Sequence, residues 1–114
     1  MKIQVLLLIV CAGFVLNGCN KKPKGTRGEN EVWLEYKLFV PQQLVVKEGT
    51  TVTFTNKDNA NHSATSFSNL FNSGKISSED SWSYTFDKEG TYSFYCNYHS
   101  GSTSEQGYII VEKK

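Results

Sequence analysis

Apolar and polar residues alternate with a period of two along several segments after residue 30. Residues 51–55, Thr-Val-Thr-Phe-Thr, place Val52 and Phe54 on one face. Residues 81–86 alternate serine or threonine with aromatic side chains, and residues 91–96 repeat the pattern. Successive side chains of a strand point to opposite faces of a sheet, so each segment predicts a strand with one buried face. For residues 81–86 the buried face is predicted to consist of Trp82, Tyr84 and Phe86.

Three further segments are rich in strand-forming residues without strict alternation. Residues 33–39 end before Pro41, residues 44–46 read Leu-Val-Val, and residues 108–111 read Tyr-Ile-Ile-Val. Turn-forming residues separate these segments, and no segment predicts a helix. Short strands with regular turns predict an all-β sandwich or barrel. We expect its aromatic side chains to form the core rather than a binding surface.

The first thirty residues follow a different pattern. Residues 3–16 form an almost uncharged apolar run. This run is shorter than the roughly 20 residues that span a bilayer and is typical of a secretory signal. Residues 16–19, Leu-Asn-Gly-Cys, resemble a bacterial lipobox, where the signal is cut before a cysteine that carries lipid. We therefore predict a lipoprotein signal peptide over residues 1–18 and lipidation of Cys19. The alternatives are an uncleaved anchor and an ordinary signal with a coincidental cysteine.

Residues 19–30 are predicted to be a flexible tether that precedes a folded domain over residues 31–114. The tether contains proline, glycine and four basic residues, which suit a solvated segment near anionic lipid headgroups. This organisation predicts an exported protein held to a membrane by its N-terminal lipid, in a periplasm or at a cell surface. The charges are nearly balanced, with 12 basic and 11 acidic residues, and they do not suggest nucleic-acid binding.

Of the three cysteines in the sequence, one lies within the predicted domain. Cys11 lies in the predicted signal and Cys19 is the predicted lipidation site, which leaves Cys96 without a disulfide partner in the expected oxidising compartment. Such a cysteine is either a buried, inert thiol or a metal ligand. Its strand phase directs it to the interior at a strand end, and His99 follows three residues later. The other histidine, His62, lies in the loop after residues 51–55.

Both histidines and Cys96 therefore lie at loop ends that a sandwich can gather at one pole. One thiolate with two imidazoles favours copper that cycles between Cu(I) and Cu(II). The competing interpretation is a core histidine and an unused thiol.

Several segments together resemble plastocyanin- and amicyanin-like cupredoxins, the blue copper proteins. Residues 52–58 and 61–65 are similar to the family's first-histidine region, residues 71–86 to its middle strands, and residues 86–99 to its cysteine loop. The resemblance covers residues 32–111 and implies a Greek-key β-sandwich with one copper ion. The implied ligands are His62, Cys96 and His99. It further implies a backbone N–H from Ser63 to the sulfur, and an electron route through the edge of His99.

The axial ligand departs from the family pattern. Cupredoxins normally place an axial methionine after the second histidine, whereas the only methionine here is Met1. Aligning Gly107 with the family's glycine puts Glu105 at the axial position, and the neutral amide of Gln106 follows. The sequence leaves three possibilities open for the axial position: Glu105, Gln106 or no protein ligand. An oxygen donor favours Cu(II), so we expect a lower reduction potential than methionine-ligated relatives have.

The resemblance implies a single-electron carrier that serves unidentified redox partner proteins. The missing methionine keeps a non-redox copper storage or delivery module as an alternative, and zinc in a Cys-His₂-Glu site is also chemically feasible. Related copper enzymes need further histidine ligands, and this chain has two histidines. We therefore expect no enzymatic activity, and we expect a monomer.

Overall fold

The computed structural model describes residues 25–99, 101 and 104–114. The predicted signal peptide and Cys19 lie outside the described residues, as does the first half of the predicted tether. In the described part, eight strands and a 3₁₀ helix over Asn97–His99 follow one another. The strands are β1 Glu31–Glu35, β2 Leu38–Val40, β3 Gln43–Lys47, β4 Thr50–Asn56, β5 Thr65–Ser66, β6 Ser81–Phe86, β7 Gly90–Tyr95 and β8 Gln106–Glu112. None of the helical structure in these residues is long and apolar enough to span a membrane.

The strands form two four-stranded sheets, in the orders β2-β1-β4-β6 and β3-β8-β7-β5. β1 runs parallel to β4 and β3 runs parallel to β8, while the other neighbours are antiparallel. The predicted all-β sandwich is confirmed. The β-prone segment 33–39 divides into parts of β1 and β2, since the backbone turns at Lys37 with a φ of 61°.

The hydrophobic core lies between the two sheets. Val52 and Phe54 of β4 are fully buried, as the alternation predicts. The ring of Phe54 meets that of Phe94 edge-on, with centroids 5.2 Å apart. Trp82 and Tyr84 pack against the core but stay partly exposed, because β6 is the edge strand of its sheet.

Three segments meet at one end of the sandwich. β4 ends at Asn56, and the loop after it leads to His62. β7 ends one residue before Cys96, and β8 begins one residue after Glu105. The opposite end carries the turns before β4 and β7 and the C-terminus. This topology gathers residues that are far apart in sequence at one pole.

The chain enters the domain from the side opposite that pole. β1 runs parallel to β4, and Glu31 pairs with Thr53 while Leu34 pairs with Asn56. Hydrogen bonds to the domain begin before β1: the Arg27 guanidinium donates to the carbonyl of Glu31 at 2.8 Å. The Gly28 N–H donates to the Glu31 carboxylate at 2.7 Å.

Candidate metal centre

Four side chains converge at the pole where β4 and β7 end and β8 begins. His62, Cys96, His99 and Glu105 each direct one potential ligand atom into the same space, and these atoms all lie within 4.8 Å of one another. His62, Cys96 and Glu105 are 0%, 1% and 2% exposed. The His99 side chain is 35% exposed, so this imidazole is the one that reaches the surface.

The distances between these atoms suit ligands of one ion. The Cys96 Sγ lies 3.6 Å from Nδ1 of His62 and 3.5 Å from Nδ1 of His99. The Glu105 Oε1 lies 3.1 Å from Nδ1 of His62 and 3.0 Å from Nδ1 of His99. Nitrogen, oxygen and sulfur ligands bind metals at about 2.0–2.3 Å, which separates neighbouring donors around a metal by roughly 3–4 Å. The four donors fit a mononuclear metal site.

Backbone hydrogen bonds fix the segments that carry these side chains. The Cys96 N–H donates to the Glu105 carbonyl at 3.1 Å, which extends the β7–β8 ladder by one rung. The His99 N–H donates to the Cys96 carbonyl at 3.3 Å, so the 3₁₀ helix folds His99 back toward the sulfur. His62 exchanges two backbone hydrogen bonds with Ile76, of 2.8 and 3.2 Å.

The thiol of Cys96 lies in surroundings that oppose its ionisation. Burial raises the pKa of Cys96, and the negative charge of Glu105 raises this pKa further. The backbone amides of Ser63, Tyr98 and His99 lower this pKa and act in the opposite direction. The family resemblance implies such a role for the backbone N–H of Ser63. A metal that binds the thiolate must therefore displace the thiol proton.

Of the two axial candidates, Glu105 is the one that joins the histidines. Glu105 and Gly107 are buried, whereas Gln106 between them is half-buried and Tyr108 is exposed. Neighbouring positions of a strand face opposite sides, which directs Gln106 to the outer side of its sheet. The Gln106 carbonyl accepts a hydrogen bond from the Gln42 side chain at 3.4 Å.

Gly107 allows β8 to pass close to the core beside the site. A Cβ on Gly107 would lie 2.7 Å from Cζ of Phe94 and 2.9 Å from the carbonyl oxygen of Gln42. Both separations are too short for ordinary contacts, and a backbone oxygen cannot easily move away. Glycine is therefore required two residues after Glu105.

A second carboxylate contacts the far side of His62. The Asp58 Oδ2 lies 2.9 Å from Nε2 of His62, and this hydrogen bond lowers the pKa of Asp58. The sequence placed Asp58 in the loop before His62 without a role, because spacing alone does not show which polar loop side chain faces the imidazole.

Comparisons with known proteins agree with this architecture. The sequence model of a cupredoxin-like domain matches residues 6–111. A purple cupredoxin from Nitrosopumilus maritimus shares 27% identity at a TM-score of 0.66, over 72% of this chain and 98% of its own. An amicyanin mutant in the Cu(I) form shares 25% identity at a TM-score of 0.62, over 72% of this chain and 80% of its own. The oxidised plastocyanin of Dryopteris crassirhizoma shares 22% identity at a TM-score of 0.62, over 72% of this chain and 99% of its own. Among curated protein sequences, none matches this chain significantly.

Proposed function

The chain belongs to the cupredoxin-like domain family, and we propose that it is a single-electron carrier with one copper ion held by His62, Cys96, His99 and Glu105. Copper is the cofactor, since the family binds it and one thiolate with two imidazoles suits it. Bound copper supplies one-electron chemistry between Cu(I) and Cu(II). The observation that carries the proposal is the convergence of these four donors from three separate segments.

Glu105 is proposed as the axial ligand in place of the family's methionine. A carboxylate is costly to bury unless a nearby positive charge or hydrogen bonds compensate it. Glu105 is 2% exposed, and one of its oxygens lies within 3.1 Å of both imidazoles. A cation bound among these groups offsets the cost of burying the Glu105 carboxylate. Gln106, the first residue of β8, lies on the face of the strand opposite to Glu105.

The surrounding residues suit electron exchange without rearrangement. The Cys96–Glu105 rung and the His62–Ile76 hydrogen bonds hold three of the ligands on fixed backbone. Phe39 packs edge-on toward His62 with centroids 6.4 Å apart, which limits the access of water from the core side. The partly exposed ring of His99 provides the edge through which an electron reaches a redox partner protein.

The export and anchoring of this carrier are part of the proposal. The lipobox-like residues 16–19 support lipidation of Cys19 and a membrane-anchored lipoprotein in a periplasm or at a cell surface. β1 begins at the end of the sandwich opposite the metal site, which supports attachment through the preceding residues with that site facing partners. Both histidines of the chain lie in one site, which leaves none for a second histidine-ligated copper centre of an enzyme.

An optical redox titration tests this function. The metal-free protein is titrated with Cu(II), and the same titration is run on Cys96→Ala as the control. A carrier takes up one copper per chain and develops an intense thiolate-to-copper band, which bleaches on reduction and returns on oxidation. A weak spectrum without a reversible redox response would contradict electron transfer and favour the storage or delivery module.

A further inference from the structure

His62 lies between two carboxylates. Its Nδ1 atom faces Glu105 at 3.1 Å, and its Nε2 atom faces the Asp58 Oδ2 at 2.9 Å. The imidazole is fully buried, and the Asp58 side chain is 16% exposed. Only the first of these carboxylates belongs to the four-donor cluster, so the second has a different role.

The position of Asp58 is fixed by its own loop. Its Oδ1 accepts the Asn59 N–H at 2.7 Å, and its backbone N–H donates to Oδ1 of Asn56 at 2.8 Å. Asn56 is fully buried, and its side-chain nitrogen donates to the carbonyls of Ala60 and Ile76, each at 2.8 Å. The carboxylate is thus held in place before any metal binds.

We propose that Asp58 is a positioning residue of the copper centre, which keeps the Nε2 proton on His62 so that Nδ1 binds the metal, and which favours Cu(II) over Cu(I). This inference rests on the proposed function, because it requires copper at His62. A neutral imidazole carries one N–H and one lone pair, and an ionised carboxylate only accepts hydrogen bonds. The Asp58 contact therefore places the proton on Nε2 and leaves the Nδ1 lone pair for the ion.

The charge of Asp58 adds a second effect. A carboxylate that accepts the remaining N–H of a metal-bound histidine raises the basicity of that ligand. A more basic ligand and a nearby negative charge both stabilise the more highly charged Cu(II) state. Asp58 is largely shielded from water, so solvent screens this charge less than it would at an exposed site.

Three variants separate orientation from charge. Asp58→Asn keeps an oxygen that can accept the Nε2 proton but removes the charge, and Asp58→Ala removes both. Asp87→Asn is the matched control, because Asp87 is exposed and follows β6 at the opposite end of the sandwich. Affinities for Cu(II) and Cu(I) are measured by competition with chelators, and the potential by spectroelectrochemistry.

We expect Asp58→Ala to weaken Cu(II) binding about 10–100-fold, as loss of outer partners of metal ligands does. Asp58→Asn should weaken Cu(II) binding less than Asp58→Ala does, and Asp87→Asn should change it less than either Asp58 variant. Cu(I) binding should weaken less than Cu(II) binding, and each tenfold difference between the two raises the one-electron potential by about 59 mV. The ¹⁵N-labelled Cu(I) protein should show a protected Nε2–H signal for His62, retained in Asp58→Asn and exchanging faster with water in Asp58→Ala.

The experiment distinguishes failure of the Asp58 positioning role from failure of the copper site itself. Suppose that the unmodified protein binds copper through Cys96, and that both Asp58 variants match it in the ratio of Cu(II) affinity to Cu(I) affinity and in the Nε2–H signal. The positioning role is then refuted while the copper site stands. If the unmodified protein takes up no copper, the proposed function and this inference fail together. If Asp58→Ala does not fold, a potential for Asp58→Asn equal to that of Asp87→Asn refutes the effect of the charge.

Discussion

Replacing Glu105 with methionine should raise the reduction potential of the copper centre. Glu105→Met removes a negative charge that lies 3.0 and 3.1 Å from the two imidazole nitrogens of the site. That charge stabilises Cu(II) more than Cu(I), and a carboxylate oxygen is a harder donor than a thioether sulfur. Both effects act in the same direction.

The electrostatic contribution to this rise in reduction potential can be estimated from the position of Glu105. One unit charge at about 4 Å interacts with another by about 4 kcal/mol at an effective dielectric constant near 20. Oxidation adds one positive charge to the centre, so the two oxidation states differ by one such interaction with the Glu105 charge. A tenfold change in an equilibrium constant is about 1.4 kcal/mol, or about 59 mV for one electron. The expected rise is on the order of 100–200 mV.

The assay is spectroelectrochemistry on Glu105→Met and on Gln106→Met as the matched control. Gln106 is the neighbouring residue on the opposite face of β8, so its replacement introduces the same side chain without reaching the site. The control should leave the potential nearly unchanged. A potential that rises in Gln106→Met and not in Glu105→Met would refute the axial assignment, as would no change in either variant.

Three further predictions concern the scaffold of the site. The raised pKa of Cys96 means that the folded metal-free protein holds the thiol proton more tightly than the unfolded chain. This contribution to stability is present below the ordinary thiol pKa and is lost as the pH rises through the folded-state pKa, so urea unfolding should show falling stability in alkaline solution. A flat alkaline profile, equal to that of Cys96→Ala, would contradict it. Gly107→Ala should destabilise the protein by about 1–3 kcal/mol through overpacking. Gly101→Ala, where a Cβ meets none of the described residues within 4 Å, should not, and equal unfolding midpoints for the two variants would refute the close approach. Asn56→Ala should cost about 2–4 kcal/mol in unfolding free energy, because it removes two hydrogen bonds that the buried amide donates to the carbonyls of Ala60 and Ile76 and one that it accepts from the Asp58 N–H. Exposed Asn59→Ala is the comparison that should stay near the unmodified protein.

Strict alternation carried most of the fold prediction. It located β4, β6 and β7 because one face of each strand packs on the core, and it identified Val52 and Phe54 as core residues. β5 was not predicted, since Thr65 and Ser66 are both buried and two residues give no periodicity. The turn at Lys37 was also missed, because it carries no glycine or proline signal.

The site was predictable as far as spacing and strand phase allow. The sequence pointed to His62, Cys96 and His99 as neighbours, and the structure brings them together. The choice between Glu105 and Gln106 stayed open, because a shift of one residue along a strand exchanges the two faces of the sheet. Settling it requires the position where β8 begins, which depends on its pairing with β7.

A crystal structure of the copper-loaded protein, with anomalous diffraction at the copper edge, tests most directly whether four side chains bind one ion. We expect a single copper within bonding distance of the Cys96 sulfur and of Nδ1 of both His62 and His99, with a Glu105 oxygen as the fourth donor. Copper bound elsewhere, or a Cys96 sulfur without metal in the loaded crystal, would contradict the proposed centre.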